Sequence, residues 1–198
     1  MADNQHTIDR REAVNAILAK RGDSLLVTGL GSACYDCGAA GDSPNTFYLW
    51  GSMGAASMVG LGLAYAQPKR RILVITGDGE MLMGMASLAT IGAEQPPNLS
   101  IVVIDNELYS ETGMQPTHTS RGVDLAAVAR GANIRNAAQV TTMDELQGWI
   151  PRLYSETGPQ FIDLKVSSKR YPMAIKLRDG VHIKNRFREA LLGSKAFD

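Results

Sequence analysis

At 198 residues the chain has room for one domain with one core, or a core and a small appendage, and its 44% apolar content is ordinary for a globular protein. Twenty Lys and Arg balance twenty Asp and Glu, which argues against a nucleic-acid surface or a patch built for anionic membrane. No apolar stretch is long and charge-free enough to span a bilayer, and residues 1–6 lack a basic segment leading into an apolar one, so the cytoplasm is the expected location.

Residues 7–18 begin at a capping candidate, Thr7, and repeat apolar residues at helical spacing. Residues 24–28 read as a short buried strand that stops at a flexible loop running from Gly29 to Ser32. Cys34 and Cys37 form the one C-x-x-C. The residues after it read as loop, and two cysteines are too few for an iron–sulfur cluster or a closed zinc site, so two loop thiols are expected. A strand over 46–50 is cut off by Gly51-Ser52-Met53-Gly54. A small-residue helix over 55–66 follows, in which Gly60 and Gly62 point to tight packing.

A turn over 68–71 leads to a strand over 72–76, and a helix is expected over 81–92. Pro96-Pro97 precedes a strand over 99–104, and a polar loop occupies 109–121. Helix is expected over 123–131, strand over 133–140, helix over 143–154, strand over 160–166 and an amphipathic helix over 181–192. The segment 167–180 is basic through Lys169, Arg170, Lys176 and Arg178 and is broken by Pro172 and Gly180. Strand and helix alternate throughout, which predicts an α/β fold with a doubly wound, mainly parallel sheet and helices on both faces. One domain over 1–198 is expected, with 167–198 as a C-terminal extension packed on it.

Two apolar strands end in oxygen-bearing side chains. The first runs into Gly77-Asp78-Gly79-Glu80, the second into Asp105-Asn106, a helix-length interval later. Parallel strands with these exits place Asp78 and Asn106 together on the carboxyl edge of one sheet, where open α/β sheets bind ligands. A carboxylate beside a carboxamide suits Mg²⁺, a hard cation that leaves positions for phosphate oxygens. The glycines flanking Asp78 admit close backbone approach, and the helix opening at Glu80 aims free N–H groups at an anion.

Strand, Gly-Asp-Gly, helix, strand and Asn, in that order, resemble the cofactor signature of thiamine diphosphate enzymes. The resemblance implies that Asp78, Asn106 and the carbonyl of Leu108 hold Mg²⁺. The family usually has Asn where Asp105 stands, so extra negative charge beside the metal is expected. Gly31 and Ser32 resemble the family's diphosphate loop. Segment 49–54 resembles the one in which a glycine carbonyl, here Gly51, receives the cofactor's amino group and a bulky side chain, here Met53, wedges the cofactor bent, with Ser52 between them. Gly77, Gly79, Glu80 and Tyr109 complete the implied cofactor contacts. The loop past Asn106 carries groups able to bind a carboxylate or move a proton: Glu111, Thr112, Gln115, Thr117, His118 and Thr119, with His118 the natural titrating candidate.

The stretches 47–57, 77–91, 105–106, 112–119 and 183–187 resemble sulfopyruvate decarboxylase β subunits and the matching half of phosphonopyruvate decarboxylases. That resemblance implies decarboxylation of a 2-oxo acid to an aldehyde, with the cofactor carrying the chemistry. It also implies an α subunit, as αβ pairs, bearing a pyrimidine-binding domain and the catalytic glutamate that this chain has no room for. The basic segment is read first as solvated and second as a holder for a sulfonate or phosphonate, which Glu111 would repel if it faced the pocket. An acetolactate synthase-like carboligase subunit and a non-catalytic Mg²⁺-diphosphate-binding module stay open. A 2-oxo acid:ferredoxin oxidoreductase chain is disfavoured because cluster cysteines are missing.

Overall fold

The computed structural model describes residues 5–175 and 177–197. Its strands are β1 (Leu25–Thr28), β2 (Thr46–Tyr48), β3 (Ile72–Gly77), β4 (Leu99–Asp105), β5 (Leu108–Tyr109), β6 (Gln115–Pro116), β7 (Asn136–Val140) and β8 (Gln160–Lys165). Its helices are α1 (Arg10–Leu18), α2 (Ser32–Ala40), α3 (Ala56–Ala66), α4 (Asp78–Met83), α5 (Ser87–Glu94), α6 (Leu125–Gly131), α7 (Met143–Ser155) and α8 (Gly180–Leu192). Six strands pair in parallel in the order β2-β1-β3-β4-β8-β7, while β5 and β6 form a separate antiparallel hairpin.

Every residue of β4 and β8 is buried. A parallel sheet covered on both faces demands this, which is why these strands read as unbroken apolar runs instead of alternating ones. On one face Leu26, Leu73, Ile75, Val102 and Ile162 pack against α1, α2 and α7. On the other, Val27, Val74, Ile101, Val103 and Phe161 pack against α3, α5 and α6. Helix α8 lies at the β2 edge, where Phe187 meets Phe47 at 5.3 Å between ring centroids. From β1 the chain moves outward to β2, then returns to place β3 on the opposite side of β1. That reversal opens a crevice at the carboxyl ends of β1 and β3.

Several local expectations need correction. The helix expected over 81–92 is two helices, α4 and α5, and the first opens at Asp78. The break falls at Gly84, where an added Cβ would lie 2.3 Å from the Gly54 carbonyl oxygen, so the chain turns against a neighbouring backbone. Cys34 and Cys37 lie on α2 and not in a loop. No side chain caps that helix, so it carries no start signal in sequence. Both thiols are free and buried, and burial pushes Cys34 up to about 12 and raises Cys37 as well, which leaves them protonated and unreactive. Helix α1 is capped by Asp9, whose Oδ1 accepts from the N–H groups of Arg11 and Glu12, and not by Thr7.

Gly60 and Gly62 also part company. A Cβ at Gly60 would stand 2.4 Å from Val74 Cγ2 in the core, whereas nothing lies within 4 Å of one at Gly62. Gly60→Ala should therefore lower stability by about 1–3 kcal/mol through overpacking. Gly62→Ala should raise it by about 0.5–1 kcal/mol by restricting the unfolded chain. Thermal melting of the two variants checks the contrast, and equal shifts would contradict the packing at α3.

Candidate active site

A cleft of about 580 Å³ opens where β1, β3 and β4 end. Register puts Thr28 beside Ile75 and Gly77 beside Ile104, so the three exits reach the same level of the sheet. Gly77, Asp78, Gly79 and Glu80 line the cleft from β3, and Gly31 and Ser32 from the β1 exit. Asn106, Leu108 and Tyr109 line it from β4, with Glu111 and Thr112 beyond them and Met53 on the rim. Gly51, Ser52, Gln115 and His118 do not line it. Gly51 and Ser52 lie in an exposed turn, Gln115 folds back to bond Thr112 at 2.8 Å, and His118 is exposed.

Glycine is required where the walls close in. At Gly79 a Cβ would stand 2.5 Å from the Tyr109 ring, and at Gly31, whose φ is +72°, it would meet the Glu111 side chain at 2.9 Å. Glu80 sits at the cleft but its carboxylate is engaged by backbone. One oxygen accepts from Leu30 N–H at 2.7 Å and the other from Ala56 N–H at 3.3 Å, so one side chain ties the β1 exit and the start of α3 to α4. Burial raises the Glu80 carboxyl, opposed by these hydrogen bonds.

Asp78 is 2% exposed. Thr117 Oγ1 lies 2.6 Å from its Oδ2, Thr119 Oγ1 lies 2.9 Å from Thr117 Oγ1, and Asp105 Oδ1 lies 2.9 Å from Thr119 Oγ1. Thr117 donates to the Asp78 carboxyl and Thr119 to that of Asp105, and the two hydroxyls touch between them. Burial and the nearby Asp105 push Asp78 up to about 7. Asp105 does not add uncompensated charge to the site as its sequence position implies, because Lys165 Nζ stands 2.7 Å from its Oδ2.

The Asn106 carboxamide is held by a bond from its Nδ2 to Ser110 Oγ at 2.9 Å, and its Oδ1 accepts from Leu108 N–H at 3.1 Å. Glu107 between them has φ +65°, which folds the chain back toward the cleft. Among the described residues no three His, Cys, Asp or Glu side chains gather into a metal cluster. A cation at Asp78 would therefore depend on neutral oxygens from Asn106 and the chain beyond it, a sparsely charged oxygen set that suits Mg²⁺.

Arg10 and Ser110 also line the cleft and carry no local signal in the sequence. Arg10 is buried on α1, pairs with Asp36 at 2.6 Å and donates to the Lys169 carbonyl at 2.7 Å. Arg11 pairs with Asp36 at 3.1 Å and lies 4.4 Å from the centroid of the Tyr171 ring. Lys169 pairs with Asp9 at 3.1 Å, so part of the basic segment is tied to α1 instead of being freely solvated. Arg170 is exposed, and Lys176 lies outside the described residues.

Residues 34–164 match the family described as thiamine pyrophosphate enzyme, C-terminal TPP binding domain. The chain is 35% identical over 189 residues to the sulfopyruvate decarboxylase subunit beta of Methanothermobacter thermautotrophicus, across 94% of this chain and 97% of that one. It is 37% identical over 144 residues to phosphonopyruvate decarboxylase of Streptomyces viridochromogenes, across 73% of this chain and 36% of that longer protein. A solved chain described as a thiamin diphosphate-dependent enzyme from Mycobacterium smegmatis shares the fold, with a TM-score of 0.68 at 18% identity over 83% of this chain and 32% of that one.

The raised Asp78 carboxyl has a consequence for stability. Its folded value of about 7 exceeds the 3.8 of an unperturbed aspartate, so its contribution is full at low pH and lost as pH climbs through about 7. Asp163, pushed up to about 8 by burial and then Asp105, acts with the same sign. Cation-free protein should melt at a lower temperature near pH 8 than near pH 6, and Asp78→Asn should shrink the difference. A difference unchanged in that variant would remove Asp78 as its source.

Proposed function

The chain belongs to the thiamine pyrophosphate enzyme family, and we propose that it is the β subunit of a thiamine diphosphate- and Mg²⁺-dependent 2-oxo acid decarboxylase acting on sulfopyruvate- or phosphonopyruvate-type substrates. The products on this reading are CO₂ and an aldehyde. The observation that carries it is the meeting of Asp78 and Asn106 in one cleft, between glycines that leave the backbone bare. The whole chain serves as the diphosphate-binding domain, with 167–198 packed on it as an extension.

Bound thiamine diphosphate supplies the electron sink for loss of CO₂. The residues of this chain supply placement. Asp78, the Asn106 carboxamide and the Leu108 carbonyl hold the Mg²⁺, and Gly31, Ser32, Gly77 and Gly79 admit the diphosphate to the sheet edge. Glu80 holds two walls of that seat at fixed separation through its bonds to Leu30 and Ala56. Met53 at the rim serves as the wedge that bends the cofactor, with the Gly51 carbonyl and Ser52 beside it and Tyr109 against Gly79. Glu111 and Thr112 stand at the cleft and are placed to meet substrate, while His118 and Gln115 lie further along the same loop, off the lining.

A separate α subunit completes the enzyme on this reading, supplying the pyrimidine-binding domain and the catalytic glutamate in αβ pairs. Two observations support it. The Streptomyces relative is much longer, and this chain spans 36% of it. Met53, 37% exposed at the cleft, is joined in the exposed apolar surface by Met83 at 68% and Met85 at 37% around the end of α4, and such deformable side chains suit a protein partner.

The co-expressed αβ enzyme should bind thiamine diphosphate only with Mg²⁺ present, and Asp78→Ala should abolish that binding in calorimetry; unchanged affinity would remove the metal assignment. Sulfopyruvate or phosphonopyruvate should release CO₂ only when both chains are mixed. Full turnover by this chain alone would overturn the split site.

A further inference from the structure

Behind Asp78, on the side away from the cleft, polar side chains continue into the interior of the sheet. Asp105 and Lys165 occupy paired positions on β4 and β8. They lie at 0% and 5% exposure, on the face that otherwise carries Val103, Ile101 and Phe161. Lys165 Nζ lies 2.7 Å from Asp105 Oδ2 and 3.2 Å from Glu107 Oε1, and His6 Nε2 is 3.0 Å from the same Glu107 oxygen. The other Asp105 oxygen serves Thr119 Oγ1 and the Glu107 N–H, each at 2.9 Å. Thr119 abuts Thr117, and Thr117 reaches Asp78 Oδ2. None of Asp105, Thr117, Thr119 or Lys165 lines the cleft.

We propose that Lys165 is a positioning residue for the cation site: it fixes Asp105, which through Thr119 and Thr117 sets the angle at which the Asp78 carboxylate meets the cleft. The inference rests on the reading that Asp78 holds the cation, and extends it to a group separated from Asp78 by three hydrogen-bonded residues. The argument is one of charge and burial. A lone carboxylate at Asp105 would face strong desolvation, and its nearest relief without Lys165 is to turn toward other donors or to repel Asp78. With Lys165 in place the pair is neutral, and Asp105 keeps one oxygen turned to Thr119. Burial holds Asp163, two residues earlier on the same strand face, up at about 8, so at neutral pH it does not compete for the ammonium. The outer bonds to Glu107 also secure the residue whose left-handed backbone turns the chain from Asn106 toward Leu108. His6 Nε2, 3.0 Å from the same Glu107 oxygen, holds that residue as well, so this second support does not depend on Lys165 alone.

The test is made on the co-expressed αβ enzyme, with Mg²⁺ titrated against thiamine diphosphate binding in calorimetry and turnover measured separately at saturating Mg²⁺. Lys165→Met should raise the Mg²⁺ needed for half-maximal binding by about tenfold, the usual scale for losing an outer support of a metal ligand, while turnover at saturating Mg²⁺ changes little. Asp105→Asn with Lys165→Met removes both charges and leaves a carboxamide able to accept from Thr119, so the double variant should return to near the wild-type requirement. This rescue is what a purely structural lysine would not give. A wild-type Mg²⁺ requirement in Lys165→Met overturns the proposal, as does a double variant that folds with a cooperative melt yet stays impaired, or that fails to fold. If Lys165→Met does not fold, the double variant decides alone. Should wild-type and Asp78→Ala enzymes bind the cofactor equally well, the underlying reading fails instead, and the two failures are told apart.

Discussion

A carboxylate buried at the tip of a parallel sheet must be neutralised, bonded or given a cation, and the surroundings of Asp78 are shaped by that demand. Its inner oxygen is met by Thr117, and the rest of the group opens on a cleft bounded by bare glycine backbone. Burial and the nearby Asp105 raise this carboxyl to about 7. The surrounding structure follows from that demand. Gly79 cannot bear a side chain because Tyr109 lies on it, and the β4 exit must turn back sharply at Glu107 to bring Asn106 and Leu108 to the same place.

The cleft walls are tied together through backbone groups more than by side chains reaching into the cleft. Glu80 bonds the N–H groups of Leu30 and Ala56, and leaving either buried donor unmet would cost about 1–3 kcal/mol. Gly84 and Gly54 touch backbone to backbone, which breaks the α4–α5 segment. On the far wall, Arg10 and Arg11 converge on Asp36 and hold the segment after β8 against α1. Among the described residues no helix is long and apolar enough to cross a membrane.

How far the sequence can be read depends on whether a signal is local. The apolar runs of β3 and β4 and the residues that end them are local, and they were enough to place Asp78 and Asn106 on one sheet edge. The parallel sheet brings both residues to one cleft. The C-x-x-C was misassigned to a loop because α2 begins without a side-chain cap and is made of small residues. The 81–92 helix ran together because apolar spacing continues across Gly84, and the contact that breaks it comes from residue 54. Gly60 and Gly62 look alike in one helix, yet only the first faces the core at Val74.

The alternation of strand and helix and the identity of the groups that end β3 and β4 were legible in the chain alone, since each depends on neighbours a few residues away. The compensation of Asp105 by Lys165 was not, because the two are 60 residues apart and meet through the pairing of β4 with β8. Arg10 at the cleft, Glu80 as a tie between loops and the exclusion of His118 from the lining were likewise decided in three dimensions. A charge buried in a sheet is tolerable only beside its counter-charge, and register, which is a property of two strands together, determines whether that partner is there.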